Sequence, residues 1–203
     1  MSMTVIEKIR AIVNELLAVK EPAEKPRDVF FVSELVGCLR KAYYDRTRPA
    51  KQATTNVVGI LVGKAIHEKF NVIAASHGCQ TEVNIAKEIE GVKVIGSADA
   101  VCDDIVIELK VGDVSVDYDV ARLQAAIYAV LLGAKEAYVV IIDRQSGVVK
   151  LERAPVERDK IRRFLEERVR ELKEALRRRR APTPDRRFCK YCPYKWTCMS
   201  SRK

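Results

Sequence analysis

The stretch that most constrains the fold is Ile95–Lys110, in which two runs rich in β-branched residues flank the pair Asp103–Asp104. This pattern predicts a β-hairpin with a two-residue loop. In the antiparallel register that such a loop sets, Asp99 lies directly opposite Glu108, and cross-strand neighbours on one face are about 5 Å apart. Lys110 lies two residues beyond Glu108 and therefore shares its face.

Two carboxylates and an ammonium on an otherwise apolar hairpin are costly unless something stabilises the charges. A hard divalent cation held between Asp99 and Glu108 would do so. The alternative is a surface hairpin on which Asp99, Glu108 and Lys110 form a solvated ion pair. The position of Asp99 at the matching register favours the metal site.

The bulk properties of the chain predict one well-buried domain with an appendage, since it has 203 residues and 48% of them are hydrophobic. No apolar run approaches the roughly 18 residues of a transmembrane helix. The beginning of the sequence lacks the pattern of a secretory signal. We therefore expect a cytoplasmic protein with no membrane partner. Charged residues make up 32% of the chain, which indicates a thermophilic source.

The net charge of +9 is concentrated near the C-terminus. Residues 177–203 contain ten Lys or Arg and one acidic residue, whereas residues 1–176 contain 27 of each sign. A basic segment on a neutral body predicts contact with a phosphate backbone, and the run Arg177–Arg180 is its densest part. The alternative is a solubilising tail. Three nearby aromatic side chains are expected either to stack on unpaired bases or to pack around a metal centre, namely Tyr191, Tyr194 and Trp196.

The apolar periodicity predicts an α/β domain with a mixed sheet flanked by helices. Ser33 is the expected N-cap of the second helix, and Thr54 or Thr55 that of the third. Helices are expected over residues 4–19, 33–46, 54–78, 117–132 and 157–180, strands over 80–90, 92–101, 105–111, 136–143 and 148–154, and a linker over 20–27.

The chain has six cysteines, which in a reducing compartment indicate metal binding or catalysis before disulfides. Cys189, Cys192 and Cys198 lie close together among aromatic and basic residues, and this indicates metal thiolates. Cys38 is the best candidate for a fourth ligand, because its surroundings are also basic and aromatic. Such a centre would join the N-terminal segment to the C-terminal one.

Two further cysteines are alternative fourth ligands. Cys79 is expected at a helix end and Cys102 within a strand, and these positions are typical of small buried thiols. Residue chemistry alone leaves zinc and an iron–sulfur cluster open as the metal centre.

Four short motifs follow one another in the central part of the chain: GKAIH with His67, GSAD with Asp99, ELK with Glu108 and Lys110, and QAAIY with Gln124 and Tyr128. In this order they resemble the RecB-like branch of the PD-(D/E)xK nuclease superfamily. One cysteine before the motifs and three after them, spaced by two and five residues, are similar to the CRISPR-associated Cas-four family of exonucleases.

The resemblance implies a restriction-endonuclease-like core with a mixed central sheet, together with a cysteine-ligated metal-cluster region that joins the two terminal segments. It divides the chain into an N-terminal helical segment supplying one cluster cysteine (1–50), a RecB-like nuclease core (51–156), and a long charged helix with a basic iron–sulfur segment (157–203).

The resemblance also implies a Mg²⁺- or Mn²⁺-dependent exonuclease that acts on single-stranded or frayed-end DNA, with endonuclease activity left open. The cation ligands would be His67, Asp99, Glu108 and the carbonyl group of Leu109. Lys110 would orient the attacking water or stabilise the charge that develops on the phosphate.

Gln124 and Tyr128 would position Lys110 and the DNA strand, and Arg177–Arg180 would contact DNA. The four cysteines would bind an iron–sulfur cluster, with 4Fe–4S favoured over 2Fe–2S and zinc as the alternative. The implied role is in CRISPR adaptation, trimming new-spacer precursors beside the integrase complex. Two other functions stay open: a RecB-like nuclease of DNA repair, and a non-catalytic metal-cluster module that binds DNA.

Overall fold

The computed structural model describes residues 4–16, 25–26, 28–48, 57–112, 118–190 and 192–200. The strands are β1 Val29–Phe31, β2 Gln80–Ile89, β3 Val92–Cys102, β4 Ile105–Gly112, β5 Glu136–Asp143 and β6 Val149–Ala154. The helices are α1 Val5–Leu16, α2 Val32–Leu35, α3 Leu39–Thr47, α4 Val57–Ser76, α5 Tyr118–Leu132, α6 Arg158–Arg178 and α7 Lys195–Ser200, with a 3₁₀ turn at Arg186–Cys189.

The strands form one mixed sheet in the order β1–β3–β4–β5–β6, with β2 also paired to β3. β1 pairs with β3 in parallel, as β4 does with β5, and the other neighbours are antiparallel. Helices α4 and α5 pack on this sheet, and α6 packs on α5, α2 and α3. The predicted α/β architecture with a flanked mixed sheet is therefore confirmed.

The central hairpin has the predicted register. Only Asp103 and Asp104 separate β3 from β4. The antiparallel pairs are Ala100–Ile107, Val101–Val106 and Cys102–Ile105. The next pair in this register would be Asp99 and Glu108, so the two carboxylates lie across the hairpin from each other.

The core lies where α5 fits between the sheet and α6. α5 is rich in small buried side chains, which allow it to approach both neighbours closely; they are Ala121, Ala125, Ala126 and Ala129. α6 contributes the apolar stripe that its periodicity predicts, and its buried residues are Ile161, Leu165, Val169, Leu172 and Ala175.

The prediction of a single helix from Ser33 to about Arg46 is wrong. The chain instead forms β1, a short α2 with Phe31 at its N-cap, and a break at Gly37–Cys38 before α3. Glu34 stabilises this arrangement, because its buried carboxylate accepts hydrogen bonds from the Phe31 N–H at 3.1 Å and from Arg46 Nη2 at 2.6 Å. These non-local partners outweigh the local helical pattern.

Cys79 and Cys102 are not the small buried thiols that the sequence suggested. They form a disulfide with a Cα–Cα distance of 4.4 Å, and both residues are partly exposed. The β2–β3 register explains the pairing: Gln80 lies opposite Val101, so Cys79 and Cys102 meet where the ladder ends. The disulfide joins the chain just after α4 to the end of β3.

Helix α4 is less buried than its apolar sequence predicts. In the described part of the helix, Ala74 is its one buried residue. Large apolar side chains on its surface include Val58, Val62, Val72 and Ile73. The expected caps of this helix, Thr54 and Thr55, lie outside the described residues, as does most of the predicted linker 20–27.

Candidate active site

The candidate active site lies where β3 and β4 separate. β2 pairs with β3 along Val92–Val101, so β1 and β4 both lie along the other edge of β3. β1 pairs with residues 93–95 and β4 with residues 100–102, and Asp99 lies in the gap between them. The backbone N–H of Leu109 donates a hydrogen bond to Asp99 Oδ2 at 2.7 Å. The fold thus leaves an opening in the strand ladder and fixes a carboxylate inside it.

Glu108 is a buried carboxylate beside this gap. Its side chain is 3% exposed, and Oε1 accepts a hydrogen bond from Lys110 Nζ at 2.7 Å. Its other oxygen, Oε2, is buried and has no hydrogen-bond partner in the part of the chain that the structure describes. Burial raises the pKa of Glu108 to about 7, with a further increase from Asp99, although Lys110 acts in the opposite direction.

His67 reaches the same site from α4. Its Nδ1 atom lies 3.4 Å from Asp99 Oδ1. The pKa of His67 is raised, first by the hydrogen bond with Asp99, while its partial burial acts in the opposite direction. The structure therefore brings His67, Asp99, Glu108 and Lys110 together, as the motifs predict.

The donor atoms of this cluster are of the types that bind a hard divalent cation. Asp99 and Glu108 offer carboxylate oxygens and His67 offers a nitrogen, and the unpartnered Glu108 Oε2 is an acceptor that lacks a donor. Among the described residues, no group of three or more His, Cys, Asp or Glu is already arranged to hold a metal ion.

Gln124 and Tyr128 lie next to this cluster on α5. Gln124 Nε2 donates a hydrogen bond to Tyr128 Oη at 3.0 Å. Burial and the charge of Glu108 raise the pKa of Tyr128 to about 12, so the phenol is neutral. The ring lies over Gly96, where an added Cβ would be 2.7 Å from Tyr128 Cε1. The sequence interpretation assigned no role to Gly96, although an isolated glycine within a strand often marks a place where another group packs closely against the backbone.

The four cysteines outside the disulfide are free and partly buried. Cys38 is the N-cap of α3, Cys189 ends the 3₁₀ turn, and Cys198 lies in α7. Burial raises the pKa of Cys192, and the neighbouring Cys38 and Cys189 raise it further. The fold thus brings Cys38 to the C-terminal cysteines. Within the described ranges, however, the four sulfur atoms are not arranged as a ready-made metal site.

Two N–H groups donate to sulfur atoms in this region. The Asp185 N–H donates to Cys38 Sγ and Arg40 Nη1 to Cys198 Sγ, each at 3.4 Å. Arg40 also donates through Nε to the carbonyl oxygen of Pro182 at 2.6 Å. These contacts hold α3 against the C-terminal segment, and N–H donors of this kind stabilise thiolates.

The aromatic residues of the C-terminal segment have different surroundings. Tyr194 is buried, and its ring centroid lies 5.3 Å from that of Tyr44, so it packs against α3. Trp196 is 74% exposed, and Tyr191 lies outside the described residues. The run Arg177–Arg180 is exposed. Arg177 and Arg178 form ion pairs with Glu174 on the preceding turn of α6.

Comparisons with known proteins identify the superfamily of the chain. The family model described as the PD-(D/E)XK nuclease superfamily matches residues 6–199. The chain therefore belongs to the PD-(D/E)XK nuclease superfamily, whose members commonly use divalent metal ions. No curated protein matches the chain.

Two solved structures share the fold. The crystal structure of SSO0001 superimposes with a TM-score of 0.68 at 22% identity, covering 95% of this chain and 98% of that one. A protein of Eubacterium rectale described as "Putative exonuclease" gives a TM-score of 0.58 at 14% identity, covering 100% and 94% of the two chains. In the described residues, no helix is long and apolar enough to cross a membrane.

Proposed function

We propose that this nuclease is a Mg²⁺- or Mn²⁺-dependent DNase that acts as an exonuclease on single-stranded or frayed-end DNA. The observation that supports this proposal best is the buried, unpartnered Oε2 of Glu108 beside Lys110 and across from Asp99. A buried carboxylate oxygen without a donor is unfavourable in the free protein and favourable as a cation ligand. The arrangement therefore suits a protein that works with a bound cation.

The chemistry follows from the side chains around the gap. When bound, the cation would polarise the scissile phosphate and lower the pKa of a water molecule. Asp99, Glu108, His67 and the Leu109 carbonyl would hold it. The side chain of Lys110 is 40% exposed. Its Nζ atom would orient the water or stabilise the negative charge that develops on the phosphate.

Gln124 and Tyr128 support this arrangement and do not exchange protons with it. Because the pKa of Tyr128 is raised to about 12, its hydroxyl group stays protonated and can only donate or accept a hydrogen bond. We propose that the Gln124–Tyr128 pair positions Lys110 and the DNA strand.

The test is a cleavage assay with single-stranded DNA labelled at either end and Mn²⁺ or Mg²⁺ as the only divalent ion. Glu108→Ala, Asp99→Ala and Lys110→Ala should each abolish cation-dependent cleavage while the protein stays folded. Glu88→Ala is the matched control, since Glu88 is an exposed carboxylate on β2, the strand that pairs with β3. Cleavage by Glu108→Ala at the wild-type rate would refute the assignment of the site. Binding without cleavage by the wild type would favour a non-catalytic DNA-binding module.

We further propose that Cys38, Cys189, Cys192 and Cys198 bind an iron–sulfur cluster and that the nuclease acts in CRISPR adaptation. Two observations support the first part: Cys38 lies beside the C-terminal cysteines, and Cys38 and Cys198 each accept an N–H···S hydrogen bond. The second part depends on the cysteine spacing alone, and a repair nuclease is its alternative.

Iron and sulfide analysis of anaerobically purified protein tests the cluster. The wild type should contain both elements and Cys38→Ala should lose them. The double variant Cys79→Ala, Cys102→Ala is the control and should keep them, because its cysteines form the disulfide. Zinc without sulfide would show that the centre is not an iron–sulfur cluster. Co-purification with a DNA integrase would test the role in adaptation.

A further inference from the structure

Glu82 on β2 is a third carboxylate in line with the pair on the hairpin. Thr81 pairs with Ala100 and Val83 with Ala98, so this register places Glu82 opposite Asp99. Asp99 in turn lies opposite Glu108 on the next strand. The β2–β3 ladder skips the Glu82–Asp99 pair, and no sequence motif indicated that Glu82 belongs to the site.

The backbone of Glu82 is unusual for a strand residue. Its φ angle is +51°, in the left-handed region. The other non-glycine residues with positive φ in the described chain lie in turns or at the end of a helix, namely Glu90, Asp103 and Arg179. A left-handed backbone is unfavourable for a residue with a Cβ atom and persists only where other contacts hold it.

The side chain of Glu82 makes those contacts on both sides. Asn71 Nδ2 of α4 donates a hydrogen bond to Glu82 Oε1 at 2.8 Å. Ser97 Oγ of β3 donates to Glu82 Oε2 at 3.3 Å. Asn71 follows His67 by one helical turn, and Ser97 shares a strand face with Asp99. The carboxylate of Glu82 therefore links the two elements that carry His67 and Asp99.

Few side chains of α4 are fully buried. Ala74 is its one fully buried residue in the described part of the helix, while Leu61, Ile66 and Phe70 are half-buried, so polar contacts contribute more to its position than they would for a fully buried helix. The polar contacts between α4 and the sheet include the His67–Asp99 pair and the Asn71–Glu82 hydrogen bond. The Cys79–Cys102 disulfide holds the chain only beyond the end of the helix.

We infer that Glu82 is a positioning residue, which uses its strained backbone and two hydrogen bonds to set the His67 helix against Asp99. It acts through geometry rather than through its charge. Only the expected effect on the cleavage rate rests on the proposed nuclease function. The effect on the position of His67 can be measured without DNA or metal.

Three substitutions of Glu82 distinguish the effect of its hydrogen bonds on the position of α4 from the effect of its negative charge and from a general loss of protein stability. Glu82→Gln keeps both hydrogen bonds, since its amide oxygen can accept from Asn71 and its amide nitrogen can donate to Ser97 Oγ. Glu82→Ala and Glu82→Gly lose both. Gly adopts a positive φ without strain, so Glu82→Gly should have a higher Tm than Glu82→Ala while sharing its loss of positioning.

The main readout is the ¹⁵N chemical shift of the His67 ring nitrogens in metal-free protein at fixed pH. The chain has two histidines, and the exposed His77 serves as an internal reference. Glu82→Ala and Glu82→Gly should shift the His67 signals and leave those of His77 unchanged, whereas Glu82→Gln should resemble the wild type. Glu88→Ala on the same strand is the matched control and should change neither histidine.

Cleavage kinetics give the second readout. Glu82→Ala and Glu82→Gly should lower kcat by about 10- to 100-fold with little change in KM, the effect expected when a reacting group is misplaced by about 1 Å. Glu82→Gln should restore the rate. If no protein, including the wild type, cleaves DNA, the proposed function fails while the ¹⁵N shifts still test the role of Glu82.

Two results would overturn the inference. Unchanged His67 signals in Glu82→Ala and Glu82→Gly would mean that Glu82 does not position the helix. A loss of Mn²⁺ affinity in Glu82→Gln as large as that in Glu82→Ala would show that the charge of Glu82 matters, and that Glu82 is itself a cation ligand.

Discussion

Replacing Glu108 by Gln should stabilise the metal-free protein at alkaline pH. The side chain is 3% exposed, and burial raises its pKa from 4.5 to about 7. A shift of this size corresponds to about 3 kcal/mol between the two protonation states. Gln has the shape of the protonated acid and can still accept a hydrogen bond from Lys110, so the variant should recover much of this free energy at pH 8.

The effect should depend on pH with a definite sign. Because the pKa of Glu108 is higher in the folded state than in the unfolded one, folding takes up a proton. The wild type is therefore most stable, with respect to this group, below pH 4.5 and loses stability as the pH rises to about 7. At pH 5 the advantage of the Gln variant should fall to about a quarter of its value at pH 8.

Thermal unfolding in EDTA at both pH values measures the difference. For a chain of this length, about 3 kcal/mol corresponds to a Tm increase of about 6 to 12 °C. Added Mg²⁺ should stabilise the wild type, by about 2.7 kcal/mol at a concentration 100-fold above its Kd, and should not stabilise Glu108→Gln to this extent. Glu88→Gln is the control for removing an exposed carboxylate. A lower Tm for Glu108→Gln in EDTA at pH 8, or a gain independent of pH, would refute the reasoning.

Three further predictions concern other parts of the molecule. Gly96→Ala should lower the Tm and the cleavage rate, because the new Cβ would lie 2.7 Å from Tyr128 Cε1; a double-mutant cycle with Tyr128→Ala should show that truncating the ring offsets much of the effect. Changing all four residues of Arg177–Arg180 to Gln should weaken single-stranded DNA binding and reduce the slope of log K against log salt by about 0.7 for each phosphate that these arginines neutralise. An unchanged slope would indicate a solubilising tail. Cys38→Ala should lower the Tm of the metal-loaded protein along with its metal content, since a structural metal stabilises only the folded state; an unchanged Tm with full metal content would rule out Cys38 as a ligand.

The central hairpin and the placement of the candidate site residues on it could be predicted because their determinants are local. The two-residue loop at Asp103–Asp104 fixes the register, and the register fixes which side chains face each other. Asp99, Glu108 and Lys110 are therefore placed by a single short stretch of sequence, Ile95–Lys110. α6 was predictable for a similar reason, because its apolar stripe repeats with the helical period.

The features that could not be predicted depend on distant partners. β1 is three residues long. It forms because it pairs with β3, which lies more than 60 residues later in the chain. The helix after it is broken because Glu34 pairs with Arg46 and Lys25. Glu82 has no signal in the sequence, since its role arises from a strand register combined with the placement of a helix. Local periodicity carries no information about such contacts.

The disulfide has a practical consequence for handling the protein. It closes a loop between residues separated by 23 positions, a constraint worth about 3 kcal/mol in the chain-entropy treatment. The same molecule keeps four other cysteines as free thiols. A strong thiol reductant that protects those four would also open the bond beside the His67 helix, and an oxidising buffer that preserves the bond would endanger the thiols. A preparation that keeps both sets of cysteines intact must therefore exclude oxygen without adding a disulfide-reducing agent.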